Sequence, residues 1–220
     1  MRTRRQPIVL AAVTAIVIAV AVALALGGSG GGSGSSPAGK AVSESAPASA
    51  AEFDGGALPD EAPAPGFTLT DQRGRAVSPS DYRGQAVVLT FLYSRCGATC
   101  ILIAQQIRGA LEELREEDAR PPAVLIVSAD PAADTPASVA RFLEEVSLSG
   151  RVEYLTGPLP RLRAVWRSYG VTPASESRSR FDRYASVLLL DGSGRERVLY
   201  QSEVLTPEAL SHDIRRLQAG

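Results

Sequence analysis

The chain has one histidine, one lysine (Lys40) and two cysteines among its 220 residues. A single imidazole, His212, leaves no cluster of nitrogen donors for a metal that demands them. With lysine almost missing, the positive charge is nearly all arginine. It is interleaved with acid, as between Arg108 and Arg120, and the formal net charge is −1. Such a pattern makes a solvated surface, and without a basic stripe set among aromatics it excludes nucleic-acid binding. Internal repeats are absent. Two cysteines cannot build a framework of several bridges, so any thiol chemistry falls to Cys96 and Cys100.

Long uncharged runs are also scarce, with one exception. Arg2, Arg4 and Arg5 precede Pro7, and from there to Leu26 no charge occurs. About 20 apolar residues match a bilayer-spanning helix and exceed the roughly 7–15 of a cleaved signal core. The expectation is a transmembrane signal anchor at 7–26 with residues 1–6 cytoplasmic, everything beyond it outside, and a single-pass place in the plasma membrane. Residues 27–63 are Gly, Ser, Ala and Pro with scattered acids. They bury too little to fold and read as a flexible linker, a coil spanning roughly 35 Å. The folded domain is expected over 64–220.

Its centre is the stretch from Val87 to Leu114. Val87-Val88-Leu89-Thr90-Phe91-Leu92-Tyr93 is apolar without alternation, as in a strand covered on both faces. After Ser94-Arg95-Cys96-Gly97-Ala98-Thr99-Cys100, apolar side chains at Cys100, Ile103, Ile107, Ala110, Leu111 and Leu114 follow helical spacing. The helix therefore starts at or just after Cys96. Unpaired N–H groups and the positive dipole end at that point favour a thiolate, which predicts a lowered pKa for Cys96. Cys100, one turn further along the apolar stripe, is predicted to be the more buried sulfur. An exposed attacking thiol and a sheltered resolving one are what exchange requires. The same two thiolates also suit a soft ion such as Cu(I). As a structural staple the pair is poor, because a loop with three intervening residues constrains the unfolded chain little.

Around this centre, Phe67–Asp71 and Ala76-Val77 flank a turn and predict a hairpin. Ser78–Gly84 reads as a short helical turn. Ala123–Ala129 is a second buried strand, and a crossover of this length makes it parallel to the first. Asp134 or Thr135 caps a helix from Ala137 to Val146, with Pro136 at its first position. A further helix runs from Leu159 to Tyr169 and stops at Gly170. Ala185–Leu190 and Arg197–Tyr200 form a late antiparallel hairpin, and a last helix starts at Thr206-Pro207. This order predicts an α/β thioredoxin-like fold, a mixed central sheet flanked by helices, with an N-terminal hairpin extension.

Several segments together resemble the Sco (SenC) family of membrane-tethered thioredoxin-fold proteins implicated in assembling the dinuclear copper centre of cytochrome c oxidase. They are Phe67-Thr68-Leu69, Thr90-Phe91-Leu92-Tyr93 running into Cys96 and Cys100, Ser128-Ala129-Asp130-Pro131 with Asp134-Thr135-Pro136, Leu155-Thr156-Gly157, Val165-Trp166 with Tyr169-Gly170-Val171, and Ser186–Asp191. The resemblance covers about residues 64–218. Three departures stand out. Gly97 and Ile101 occupy positions where the family usually has proline. Arg183 falls where copper-binding members have a histidine ligand, and His212 does not match that place.

From the resemblance follows a protein of oxidase copper-centre assembly that works by thiol-disulfide exchange, a thiol-disulfide oxidoreductase in which Cys96 attacks and Cys100 resolves. Where the chain departs from the family, Arg183 is expected to approach Cys96 and favour its thiolate by compensating its charge. Its partner would be the copper-acceptor subunit of cytochrome c oxidase or another thiol protein. One alternative is a chaperone carrying Cu(I) on Cys96 and Cys100, and another is a non-catalytic assembly module. Without the histidine, stable Cu(II) binding is not expected. Asp130 reads as a turn former before Pro131, His212 as a surface helix residue, and Tyr154 and Trp166 as core.

Overall fold

In the computed structural model, which describes residues 53–59 and 62–219, every residue of the strand Val87–Leu92 is buried. The anchor expected at 7–26 and most of the linker lie outside the described residues. Among the described residues, no helix is long and apolar enough to cross a membrane.

In chain order the strands are β1 (Gly56–Ala57), β2 (Leu69–Thr70), β3 (Ala76–Val77), β4 (Val87–Leu92), β5 (Ala123–Ser128), β6 (Glu153–Leu155), β7 (Ser186–Leu190) and β8 (Glu196–Gln201). The helices are α1 (Ala98–Glu116), α2 (Pro136–Glu145), α3 (Leu159–Ser168), α4 (Arg178–Tyr184) and α5 (Pro207–Ala219). A six-stranded sheet runs β1-β8-β7-β4-β5-β6, and β2-β3 form a separate hairpin. On one side β4 pairs parallel with β5, Val87 opposite Ala123; on the other it pairs antiparallel with β7, Val87 opposite Leu190. The mixed sheet with a parallel crossover through α1 is therefore as the sequence implies.

Local chemistry explains the elements around it. Ser78 and Asp81 form a reciprocal capping box on the 3₁₀ turn Pro79–Tyr82, satisfying N–H groups at both ends of the box. Thr135 caps α2 by accepting from the Ser138 N–H, with Pro136 at the first helical position. The β2-β3 turn is held by Asp71, which accepts the N–H of Arg73 at 2.9 Å and of Arg75 at 2.7 Å. Burial pushes the Asp71 carboxyl up, but those N–H groups and the Arg75 guanidinium outweigh it and hold its pKa below the usual value.

The α1 stripe buries Cys100, Ile103, Ala104, Ile107, Ala110, Leu111 and Leu114. Each large side chain in it contributes roughly 1.5–3 kcal/mol of transfer free energy, which fixes the helix on the sheet. Beside it α5 runs parallel, with Ser211 bonded to Glu113, Arg215 to Glu117 and Gln218 to the Arg120 carbonyl. Gly109 is what lets them meet, since a Cβ there would lie 2.8 Å from Pro207 Cγ. A mid-helix glycine costs about 1 kcal/mol relative to alanine, and here it is required for packing.

Two sequence readings need correction. The segment Arg178–Tyr184, to which the sequence pattern assigns no element, forms α4: Ser177 caps it through the Arg180 N–H, and Phe181 is buried. One inward aromatic in a short polar stretch is too weak a periodic signal to identify a helix of this length. The folded body also begins before residue 64, because β1 pairs with β8, Gly56 opposite Leu199. Its Gly- and Ala-rich composition gives no strand signal; it is held by the edge of β8 and by Asp213.

Candidate thiol site

Cys96 and Cys100 are joined by a disulfide, with their Cα atoms 5.7 Å apart. β4 ends at Leu92, a turn closed by the Cys96 N–H on the Tyr93 carbonyl follows, and α1 opens at Ala98 with Gly97 as its cap. Gly97 brings no side-chain acceptor to the helix start, so the first-turn N–H groups are left for water or for a negatively charged sulfur. Cys96 is half-buried against the core, whereas Cys100 is fully buried on the α1 stripe. The expected asymmetry between the two sulfurs is therefore present.

Buried polar contacts support this loop from behind. The Asp134 carboxylate accepts the Ser94 N–H at 2.6 Å, the Ser128 hydroxyl at 2.5 Å and the Tyr154 hydroxyl at 2.8 Å. Burial pushes the Asp134 pKa up, and the Ser128, Ser94 and Tyr154 bonds only partly oppose that. The Ser94 hydroxyl donates to the Ala133 carbonyl, and Trp166 Nε1 donates to the Ser128 carbonyl at 2.9 Å. Asp130 closes a turn by accepting the Ala133 and Asp134 N–H groups through its own carbonyl, as read from the sequence. Tyr154 and Trp166 are core, and each also supplies a donor.

Above the loop, the Phe181 ring of α4 packs on Tyr93, centroids 5.3 Å apart. Burial, with the nearby Asp182 carboxylate, pushes the Tyr93 phenol up. So α4 comes to the cysteine strand, but Arg183 is exposed, and no hydrogen bond or ion pair joins it to the cysteine loop among the described residues. Two residues past Phe181 is about 200° around a helix, so the packing that buries Phe181 turns Arg183 outward.

His212 is partly buried and not a free surface residue. Its Nδ1 lies 2.9 Å from Asp213 Oδ1 and 3.2 Å from Asp54 Oδ2. On α5 it is level with Glu113 of α1, about 20 Å of helix beyond Cys100 at roughly 1.5 Å per residue. A metal at the cysteines would thus meet two sulfurs and no imidazole from the described residues, a donor set that fits Cu(I) and not Cu(II). Asp134 and its partners were not identified as site residues from sequence: Asp134 reads as a cap, and nothing in the spacing of Ser94, Ser128 and Tyr154 brings them to it.

Fold and site together define a thioredoxin-like α/β domain with a single CxxxC bridge at the mouth of its first long helix. The SCO1/SenC family model matches residues 57–219, and the chain belongs to that family. It is 30% identical over 160 residues to the mitochondrial protein SCO2 homolog of Bos taurus, an alignment covering 70% of this chain and 59% of that protein. The chain thus spans about three-fifths of the curated relatives it matches first. Among solved structures, Bradyrhizobium japonicum ScoI with copper bound superposes with TM-score 0.52 at 25% identity, covering 71% of this chain and 99% of that one. BsSco, a member of the Sco family of cytochrome c oxidase assembly proteins in which a disulfide switch was identified, superposes with TM-score 0.59 at 18% identity, covering 71% and 94%.

Proposed function

We propose that this protein acts in cytochrome c oxidase copper-centre assembly by thiol-disulfide exchange through Cys96 and Cys100. The observation that carries the reading is the bridge itself, between a half-buried sulfur and a fully buried one at a helix mouth without a side-chain cap. In the dithiol form the Cys96 thiolate attacks a partner disulfide, forming a mixed disulfide and releasing one partner thiolate. Cys100, as thiolate, then attacks Cys96 Sγ, closes the internal bridge and releases the second. The pair loses two electrons and its two thiol protons; the partner gains both. The partner class is the copper-acceptor subunit of the oxidase or another thiol protein outside the cytoplasm, reached by a domain tethered at the plasma membrane through residues 7–26 and the linker.

Redox titration against glutathione tests this. A potential within the exchange range of about −120 to −270 mV is expected, and a value below about −300 mV would mark an inert structural bridge.

A second reading is a Cu(I) carrier, favoured by the two adjacent sulfurs. Copper would then be cargo, held by the Cys96 and Cys100 thiolates and passed on by ligand exchange. Anaerobic titration of the reduced chain followed by X-ray absorption is expected to show sulfur scatterers only. A nitrogen shell in the native protein counts against this donor set. Because Arg183 is exposed and turned outward, Arg183→His is expected to leave the donor set at two sulfurs, and tighter binding with a new Cu(II) spectrum in that variant would show that α4 brings this position to the cysteines.

A further inference from the structure

We propose that Asp134 is a positioning residue for exchange at Cys96, a role that rests on the thiol-disulfide reading above. Its carboxylate ties together the segments that converge behind the cysteine loop. Oδ1 accepts the N–H of Ser94, two residues before Cys96, at 2.6 Å. Oδ2 accepts from Ser128 Oγ at the end of β5 and from Tyr154 on β6, whose hydroxyl also lies 3.3 Å from the carbonyl of Leu92 at the end of β4. Ser94 is held a second time, through its hydroxyl, by the Ala133 carbonyl at 3.1 Å.

A carboxylate only 7% exposed is costly to keep, and the helix next to it does not need it, because Thr135 already serves as the α2 cap. What it alone supplies is an acceptor for the Ser94 backbone. Among the described residues, the backbone between Ser94 and the first turn of α1 is tied only by the Cys96 N–H on the Tyr93 carbonyl and by a long bond, 3.5 Å, from the Ile101 N–H to the Gly97 carbonyl. When the bridge opens, the covalent restraint on this loop goes and the Asp134 tie remains. It therefore keeps Cys96 within reach of Cys100 in the dithiol, raising the effective concentration of one sulfur at the other.

The test is the equilibrium of the full chain with glutathione, in which the protein disulfide and two glutathione thiols exchange to the protein dithiol and one glutathione disulfide. Measurements are made well below the unfolding transition for the native chain, Asp134→Ala and Asp134→Asn. Asp134→Ala should form its bridge about tenfold less favourably, a potential about 30 mV higher. Asp134→Asn keeps a carbonyl oxygen for Ser94 and should stay within about threefold of native. A purely structural role would lower the melting temperature without this rescue pattern in the exchange constant. Folded Asp134→Ala with a native constant, or Asp134→Asn displaced as far as Asp134→Ala, overturns the proposal. If Asp134→Ala does not fold, the double variant Ser128→Ala/Tyr154→Phe frees Oδ2 and should shift the constant the same way by threefold or more; no shift overturns it. A native bridge that does not exchange refutes the thiol-disulfide reading itself, a result distinct from an exchanging bridge indifferent to Asp134.

Discussion

Opening the Cys96–Cys100 bridge should cost the fold little, and the amount can be worked out. The cysteines are four apart in sequence, so the closed loop has about five residues, for which the chain-entropy relation gives roughly 2 kcal/mol. At about 2–4 °C per kcal/mol for a domain of this size, reduction should lower the melting temperature by about 4–8 °C. The contacts that hold the local structure do not run through the bridge, so Ile103 and Ile107 should stay buried on α1, Phe181 on Tyr93, and Ser94 on Asp134 when it opens. By the same thermodynamic cycle, folding makes the pair only about 40 mV more reducing than in the unfolded chain, since about 30 mV corresponds to 1.4 kcal/mol for two electrons. A bridge with so small a native bonus remains open to exchange. Calorimetry of the oxidised protein and of the protein kept reduced with a phosphine measures the difference. A drop beyond about 15 °C, or loss of the cooperative transition on reduction, would refute the reasoning and make the bridge a staple.

Three more outcomes follow from the same geometry. Cys100→Ser should accumulate a mixed disulfide with a small disulfide reagent while Cys96→Ser reacts at least tenfold more slowly, because Cys96 is half-buried and Cys100 fully buried; mass spectrometry over time reads it, and equal rates count against the assigned order of attack. Asp134 binds its proton more readily in the folded chain than in the unfolded one, so its contribution to stability is full below the ordinary carboxylate pKa of about 3.9 and falls as pH rises through the raised folded value. The stability of the native chain relative to Asp134→Asn should therefore decline as pH rises above about 4 in urea unfolding, and a flat difference contradicts the sign. Asp213→Ala removes the acceptor for the Asp54 and Gly55 N–H groups and one partner of the Tyr200 hydroxyl, a loss of about 3 kcal/mol at typical costs for orphaned donors. Hydrogen exchange should then lose protection at Gly55 first, and unchanged protection there would show that β1 does not depend on Asp213.

Much of the fold was legible because its central elements carry strong local patterns. The unbroken apolar run at Val87–Leu92, the three-and-four spacing from Cys100 to Leu114, and the Thr-Pro starts of α2 and α5 are signals a chain displays without knowing its tertiary structure. Phe67, Phe91 and Tyr169, separate matches in the family resemblance, meet as one aromatic group, with Tyr169 5.6 Å from Phe91 and 6.0 Å from Phe67. β1 and α4 were not legible, the first because two residues of Gly and Ala carry no periodicity, the second because a single inward Phe181 does not define a face.

The sequence by itself determined where the two sulfurs lie: a buried strand running into an amphipathic helix puts Cys96 at the helix mouth and Cys100 on its inner stripe, since backbone geometry and apolar spacing are local properties. Only the tertiary structure decided what surrounds them. Arg183 faces out because Phe181 packs inward, His212 lies four turns along the helix layer because α5 runs parallel to α1, and Asp134 reaches Ser94 because β5 pairs beside β4. Those contacts join residues tens of positions apart, and hydrogen bonds of that kind leave no periodic trace in the chain.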